Sequence, residues 1–128
     1  MTKIKAIYED LQKALGRLKE AAMLPSNVTV NQDATIQRFE FTFELSWKLM
    51  QSIEKENDIN IYGAKTIIRE AAKLDLIDDP VKWFDFLKQR NLTVHTYKEE
   101  IAKKVYKSAK EFIPFVDKLI FKAKNHLT

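Results

Sequence analysis

ATIQRFEFTFELSWKLMQSIEKEN, residues Ala34 to Asn57, decides the fold. Ile36, Phe39, Phe43, Trp47 and Met50 recur at three- and four-residue steps, and Phe41, Leu45 and Leu49 form a second stripe beside them. Such steps return to one side of a 3.6-residue helix, whereas a half-buried strand would alternate. The stretch reads as a long helix whose apolar arc is wider than one bundle core requires. Two arrangements bury an arc of that width: contact with a second subunit, or a central position inside a monomer.

Working toward the N-terminus, Ser26 to Asn31 and the preceding Pro25 separate this helix from an earlier one. Asn31 or Asp33 is the expected N-cap, since short polar side chains accept bonds from the free amides of a first turn. The earlier helix spans Lys3 to Ala22, with Tyr8, Leu11, Leu15, Leu18 and Ala22 along a narrow seam.

Toward the C-terminus, Asp58 to Gly63 form a connector, and a short helix from Ala64 to Leu74 turns Ile67, Ile68 and Ala71 inward. Asp79 followed by Pro80 reads as an N-cap and a proline in the first helical position. The helix it opens, Pro80 to Asn91, presents Phe84 and Leu87 to the core, flanked by Trp83 and Phe86. Thr96 and Glu99 have the spacing of a capping box, which would start a last helix near Tyr97. That helix reaches His126, with Ile101, Val105, Ala109, Phe112, Val116, Leu119 and Ala123 inward and a kink expected at Pro114. The expected fold is all-α: an antiparallel up-down four-helix bundle with one additional short helix, forming a single domain over residues 1–128.

Composition agrees with this. Two glycines and three prolines in 128 residues leave little material for turns. There is no cysteine, which excludes disulfides and thiolate metal sites. The charged opening MTKIKAIYEDLQKALGRLKE does not read as a secretory signal, and no apolar run approaches membrane-spanning length. A soluble cytoplasmic protein is expected, so the sequons at Asn27 and Asn91 read as chance matches. A formal charge of +4 permits an anionic partner such as RNA without requiring one.

The stretch with chemistry in it is RNLTVHTY, Arg90 to Tyr97. On one continuous helix Arg90 and His95 would lie ~140° apart, at about 100° per residue. The capping box implies a break, and a bend there can bring guanidinium and imidazole to the same side, with Tyr97 beside them. His95 can exchange a proton near neutral pH. Arg90 offers a planar fork suited to a phosphate, and Asn91 can orient a ribose or phosphate oxygen. In RNA the 2′-hydroxyl is the nucleophile, so a base and a cation suffice for cleavage without a metal or cofactor. The structural alternative is plain: Arg90 serves its helix end, His95 is a polar turn residue, and Tyr97 packs with its hydroxyl in water. Taken by itself, the local pattern favours that alternative. Glu40, Glu44 and Lys48 share one helix face, either as a solvated ion-pair ladder or, for the two carboxylates, as supports for Arg90 or His95.

As a whole, the chain resembles the HEPN superfamily and, within it, the nucleotidyltransferase substrate-binding proteins. The resemblance rests on Ile36-Gln37-Arg38-Phe39-Glu40-Phe41-Thr42-Phe43-Glu44-Leu45-Ser46-Trp47-Lys48 and on Arg90-Asn91-Leu92-Thr93-Val94-His95-Thr96-Tyr97. The second segment matches the HEPN toxin signature of arginine, four residues, histidine, one residue, tyrosine. The resemblance implies a helical homodimer whose histidine motifs meet at a shared cleft. It also implies a partner encoded nearby, a minimal nucleotidyltransferase (MNT). In one form of such pairs the HEPN protein is a ribonuclease toxin with Arg90 and His95 as catalytic groups, silenced when MNT transfers AMP from ATP to Tyr97. In the other, the HEPN-like subunit holds substrate for the transferase.

Overall fold

The computed structural model describes residues 2–127. Its elements are α1 (Lys3–Ala22), α2 (Thr29–Glu56), α3 (Ala64–Lys73), α4 (Pro80–Leu92) and α5 (Glu99–Ala123), with 3-10 turns at Thr93–His95 and Lys124–His126. Among the described residues there is no strand, and no helix is long and apolar enough to cross a membrane. The all-α bundle expected from periodicity is the observed architecture. α2 is its axis, packing against α1, α3, α4 and α5.

α1 buries Ile4, Tyr8, Leu11, Leu15 and Leu18, and the seam ends at Ala21 rather than at Ala22. α2 begins five residues earlier than expected, behind Val28, and no side chain caps it. Asn31 and Asp33 therefore lie inside the helix, where neither can serve as N-cap. The Asn31 amide instead donates to the Pro25 carbonyl at 3.0 Å, and the Gln32 amide donates to the Ser26 carbonyl at 2.6 Å. The loop before α2 needed donors more than the helix needed an acceptor, and these two amides pin it.

Between the apolar stripes of α2 runs a line of buried hydroxyls. Thr35, Thr42 and Ser46 donate to the carbonyls of Asn31, Arg38 and Thr42 at 2.7–2.8 Å, so their burial leaves no hydroxyl unpaired. Leu49 of the second stripe is in the core and Leu45 is half-buried, but Phe41 keeps 56% of its surface exposed. Part of the wide arc is thus used within the monomer and part is left open.

α2 and α3 both end without glycine. Asp58 and Asp75 take positive φ values of 60° and 59°, and the residue after each donates back across the helix end, Ile59 to the Glu54 carbonyl and Leu76 to that of Ala71. α4 starts as expected, with the Asp79 carboxylate accepting from the Lys82 amide at 3.1 Å. Its core face is a correction: Trp83 and Phe86 are fully buried, while Phe84 and Leu87 only pack against the core's edge. α5 runs unbroken past Pro114 and buries Val105, Ala109, Phe112, Val116, Leu119 and Ala123 as expected, with Tyr106 added and Ile101 half-buried.

One buried group escaped the sequence reading. Glu54, in the last turn of α2, is completely enclosed, and neither carboxyl oxygen has a hydrogen-bond partner. Burial, and secondarily the Glu70 carboxylate, raises its pKa from 4.5 to about 8. The folded state thus holds a proton that the unfolded chain releases above pH 4.5. Stability from this group is complete below that value and declines until about pH 8, at up to about 1.4 kcal/mol per pH unit. Denaturant unfolding of wild type and Glu54→Gln at pH ~5 and pH ~9 should show the wild type losing stability relative to the variant across that interval. A constant difference between the two would remove the buried proton from the account.

Candidate functional site

The site is built where α4 stops. Thr93 and Thr96 keep helical dihedrals, and their hydroxyls donate backward, to the carbonyls of Arg90 at 2.7 Å and Thr93 at 3.0 Å. The extended conformation that an N-cap requires is found at Lys98 and not at Thr96, so α5 begins at Glu99 and the Thr96–Glu99 capping box does not form. Glu99 pairs instead with Lys103 at 3.2 Å. Tyr97 consequently lies in the linker, ahead of the first turn of α5 in which it was expected.

This break leaves His95 and Tyr97 on the surface, Tyr97 with 76% of its area exposed and neighbouring Val94 with 73%. The Tyr97 hydroxyl lies 3.4 Å from His95 Nδ1, and the two rings stand edge to face with centroids 6.0 Å apart. The direction of this contact follows the tautomer: with the proton on Nδ1 the imidazole donates to the Tyr97 oxygen and leaves Nε2 able to accept a proton, and with the hydroxyl donating to Nδ1 the proton is on Nε2.

Arg90 is held differently. Its Nη2 forms an ion pair with Glu44 of α2, and its Nη1 donates to the Asn91 side-chain oxygen at 3.3 Å. Both members of the ion pair are partly exposed, so it orients the guanidinium more than it stabilises the fold. Of the two carboxylates expected to support the motif, Glu44 contacts Arg90. Glu40, half-buried one turn earlier, makes no ion pair among the described residues. Arg90 and His95 share no hydrogen bond; each is paired with a neighbour of its own, Arg90 with Asn91 and His95 with Tyr97.

Asn91 and His95 line a cleft of about 610 Å³ between α3 and α4, together with Lys65, Phe84, Leu87 and Lys88. A smaller hollow of about 360 Å³ between α1 and α2, beside Phe41, shares no residue with it. The motif's histidine opens onto the larger one. Sequence reasoning missed this cleft, although Phe84, Lys88, Asn91 and His95 have the spacing of a single helix face. Among the described residues no three His, Asp or Glu side chains converge as metal ligands would.

Comparison with known proteins places this arrangement. A family model described as nucleotidyltransferase substrate binding protein like matches residues 6–125. The chain belongs to this HEPN-like family. A Haemophilus influenzae protein described as a probable ribonuclease HepT is 34% identical over 117 residues, covering 84% of this chain and 80% of that one. A Thermus thermophilus protein of known crystal structure superposes with a TM-score of 0.83 at 32% identity, over 89% of this chain and 98% of its own. A Haemophilus influenzae structure was described as revealing the fold of a substrate binding domain of a nucleotidyltransferase. It matches with a TM-score of 0.69 at 32% identity, over 94% of this chain and 96% of that one.

If Glu44 orients Arg90, a double-mutant cycle of Glu44→Ala and Arg90→Ala in urea should give a coupling of about 0.5–1 kcal/mol, shrinking in high salt. Additive effects would make the ion pair incidental.

Proposed function

We propose that this family member is the toxin subunit of a HEPN–MNT pair: a homodimeric, metal-independent RNA endonuclease silenced by AMP transfer to Tyr97. The observation that carries the reading is an exposed His95, hydrogen-bonded to Tyr97, at the mouth of a cleft that also receives Asn91. The likeness to a probable ribonuclease supports the same reaction class.

The chemistry is that of internal phosphoryl transfer. A base removes the proton of the ribose 2′-hydroxyl, the oxygen attacks the adjacent phosphorus, and the bond to the 5′-oxygen breaks as that oxygen takes up a proton. The products are a 2′,3′-cyclic phosphate and a 5′-hydroxyl end. His95 serves as base or, in the other protonation state, as acid. Arg90 neutralises the charge that develops on the phosphorane, using N–H groups beyond those given to Glu44 and Asn91. Asn91 positions the phosphate or ribose.

One histidine supplies either proton transfer but not both at once, and a symmetric dimer supplies two. The exposed Val94 beside His95, and Phe41 on α2, are apolar surface of the kind that a second copy covers. Tyr97, exposed beside the catalytic imidazole, is the AMP acceptor, and the adduct would fill the space and satisfy the cations that RNA needs.

A second reading has its own support. Arg90 is turned to Glu44 rather than to His95, and one related structure was described as a substrate binding domain. In that reading the cleft presents a molecule to the nucleotidyltransferase and cuts nothing.

Light scattering at micromolar concentration should give twice the chain mass; a strict monomer would remove the two-histidine mechanism. The dimer should cleave single-stranded RNA in EDTA, and His95→Ala and Arg90→Ala should each reduce the rate by about 100-fold or more with unchanged melting. Full activity in both variants would sink the assignment.

Incubation with the neighbouring MNT, ATP and magnesium should add AMP to Tyr97, read by peptide mass spectrometry. Tyr97→Phe should stay an active nuclease that MNT cannot silence by this route. AMP transfer to a small molecule in the cleft, never to Tyr97, would favour the second reading.

A further inference from the structure

The α3–α4 cleft has more in it than the motif requires. Phe84, Lys88, Asn91 and His95 follow one another at steps of four, three and four residues, and so descend one face of α4 and its 3-10 extension. Across from them, one turn apart on α3, Lys65 and Arg69 each hold a cation 5.6 Å from the centroid of the Phe84 ring. The ring is only half-buried, whereas Trp83 and Phe86 on the adjoining face are wholly enclosed. The lining contains one acid, Asp85, against Lys65 and Lys88, with Arg69 at the ring. A half-exposed aromatic face ringed by cations, leading to a general base, is suited to a ligand with a flat π-surface joined to negative charge.

We propose that this cleft is a nucleotide-binding subsite for single-stranded RNA. One base stacks on Phe84, displacing the lysine and guanidinium that now cover the ring, and these cations together with Lys88 then meet the flanking phosphates. At about 1.5 Å per residue Phe84 lies ~10 Å along the α4 axis from Asn91. The base engaged is therefore a neighbour of the cleaved nucleotide and serves to hold the strand in register. The subsite rests on the ribonuclease reading for the identity of its ligand, and its geometry is independent of which residue acts as base.

The probe is a short single-stranded RNA carrying 2′-O-methyl groups, which binds but lacks the nucleophile, followed by fluorescence anisotropy. Phe84→Leu keeps an apolar side chain against the core edge and removes the π-face; it should weaken binding about tenfold, equivalent to roughly 1.4 kcal/mol. Phe121→Leu, at an exposed ring on α5, should not. Lys65→Ala and Lys88→Ala should each lower the slope of log K against log salt by about 0.7. A 5-iodouracil in the probe should crosslink to Phe84, a readout that a merely structural ring would not give. Binding that depends on Phe84 and the lysines in a protein that never cuts unmodified RNA would uphold the subsite and overturn the ribonuclease reading. Cleavage together with unchanged affinity and salt slope in all three variants would overturn the subsite and leave that reading standing. Loss of association with the nucleotidyltransferase, in place of loss of RNA binding, would make the cleft a protein interface and overturn the proposal.

Discussion

Phe112 stands where three helices meet. Its ring on α5 lies 5.2 Å from Phe39 and 5.8 Å from Phe43 on α2, and 5.2 Å from Trp83 and 4.9 Å from Phe86 on α4. The Phe39, Trp83 and Phe86 contacts are edge-to-face, the arrangement that the ring quadrupole favours. At thirteen residues, α4 is too short to hold its own geometry in water, so its placement comes from docking Trp83 and Phe86 on this cluster. The last turn of α4 then delivers Arg90 to Glu44 on α2 and hands the chain to the 3-10 turn that carries His95. The site hangs from the aromatic cluster.

What happens after Leu92 follows from local backbone chemistry. A helix that simply continued would hold His95 against its neighbours, and one that stopped at a capping box would place Tyr97 within α5. The chain does neither. Thr93 and Thr96 each satisfy a carbonyl three residues back, which lets the backbone tighten for one turn and then open at Lys98 without stranding acceptors. Glu99 and Glu100 then meet the positive end of α5, where carboxylates are favourable. The same pair makes the start of α5 a poor place for a phosphate, so an adduct on Tyr97 would draw its cations from the α4 side, where Arg90 and Lys88 stand.

Much of this was legible in the sequence because helices with one apolar face announce themselves. The bounds of α1, the proline start of α4, the inward set of α3 and nearly all of that of α5 follow from spacing alone. The start of α2 did not, because Asn31 has the chemistry of a cap or of a loop anchor, and only the position of the Pro25 carbonyl decides between them. Glu54 was invisible for a related reason. It sits beside Ile53 at a core position, but an acid in the last turn of a helix reads as solvated unless its surroundings are known. Within the motif the residue types were legible and the contacts were not: that Glu44, and not Glu40, meets Arg90 depends on how α2 and α4 cross.

The most instructive misreading concerns the two faces of α4. Its sequence is apolar on both sides, Trp83 and Phe86 on one and Phe84 and Leu87 on the other, so periodicity supplies two answers of equal quality. Packing breaks the tie through size and flatness. Trp83 and Phe86 reach Phe112, and once they are enclosed the helix has no rotation left with which to bury Phe84 as well. The face that loses the competition is the one in register with Lys88, Asn91 and His95. An aromatic ring held at the core's edge is thereby left on the line of residues that approach the imidazole, with two cations of α3 above it. The second apolar stripe of α4 is surplus to the bundle, and its exposure beside the histidine is what gives the cleft a floor.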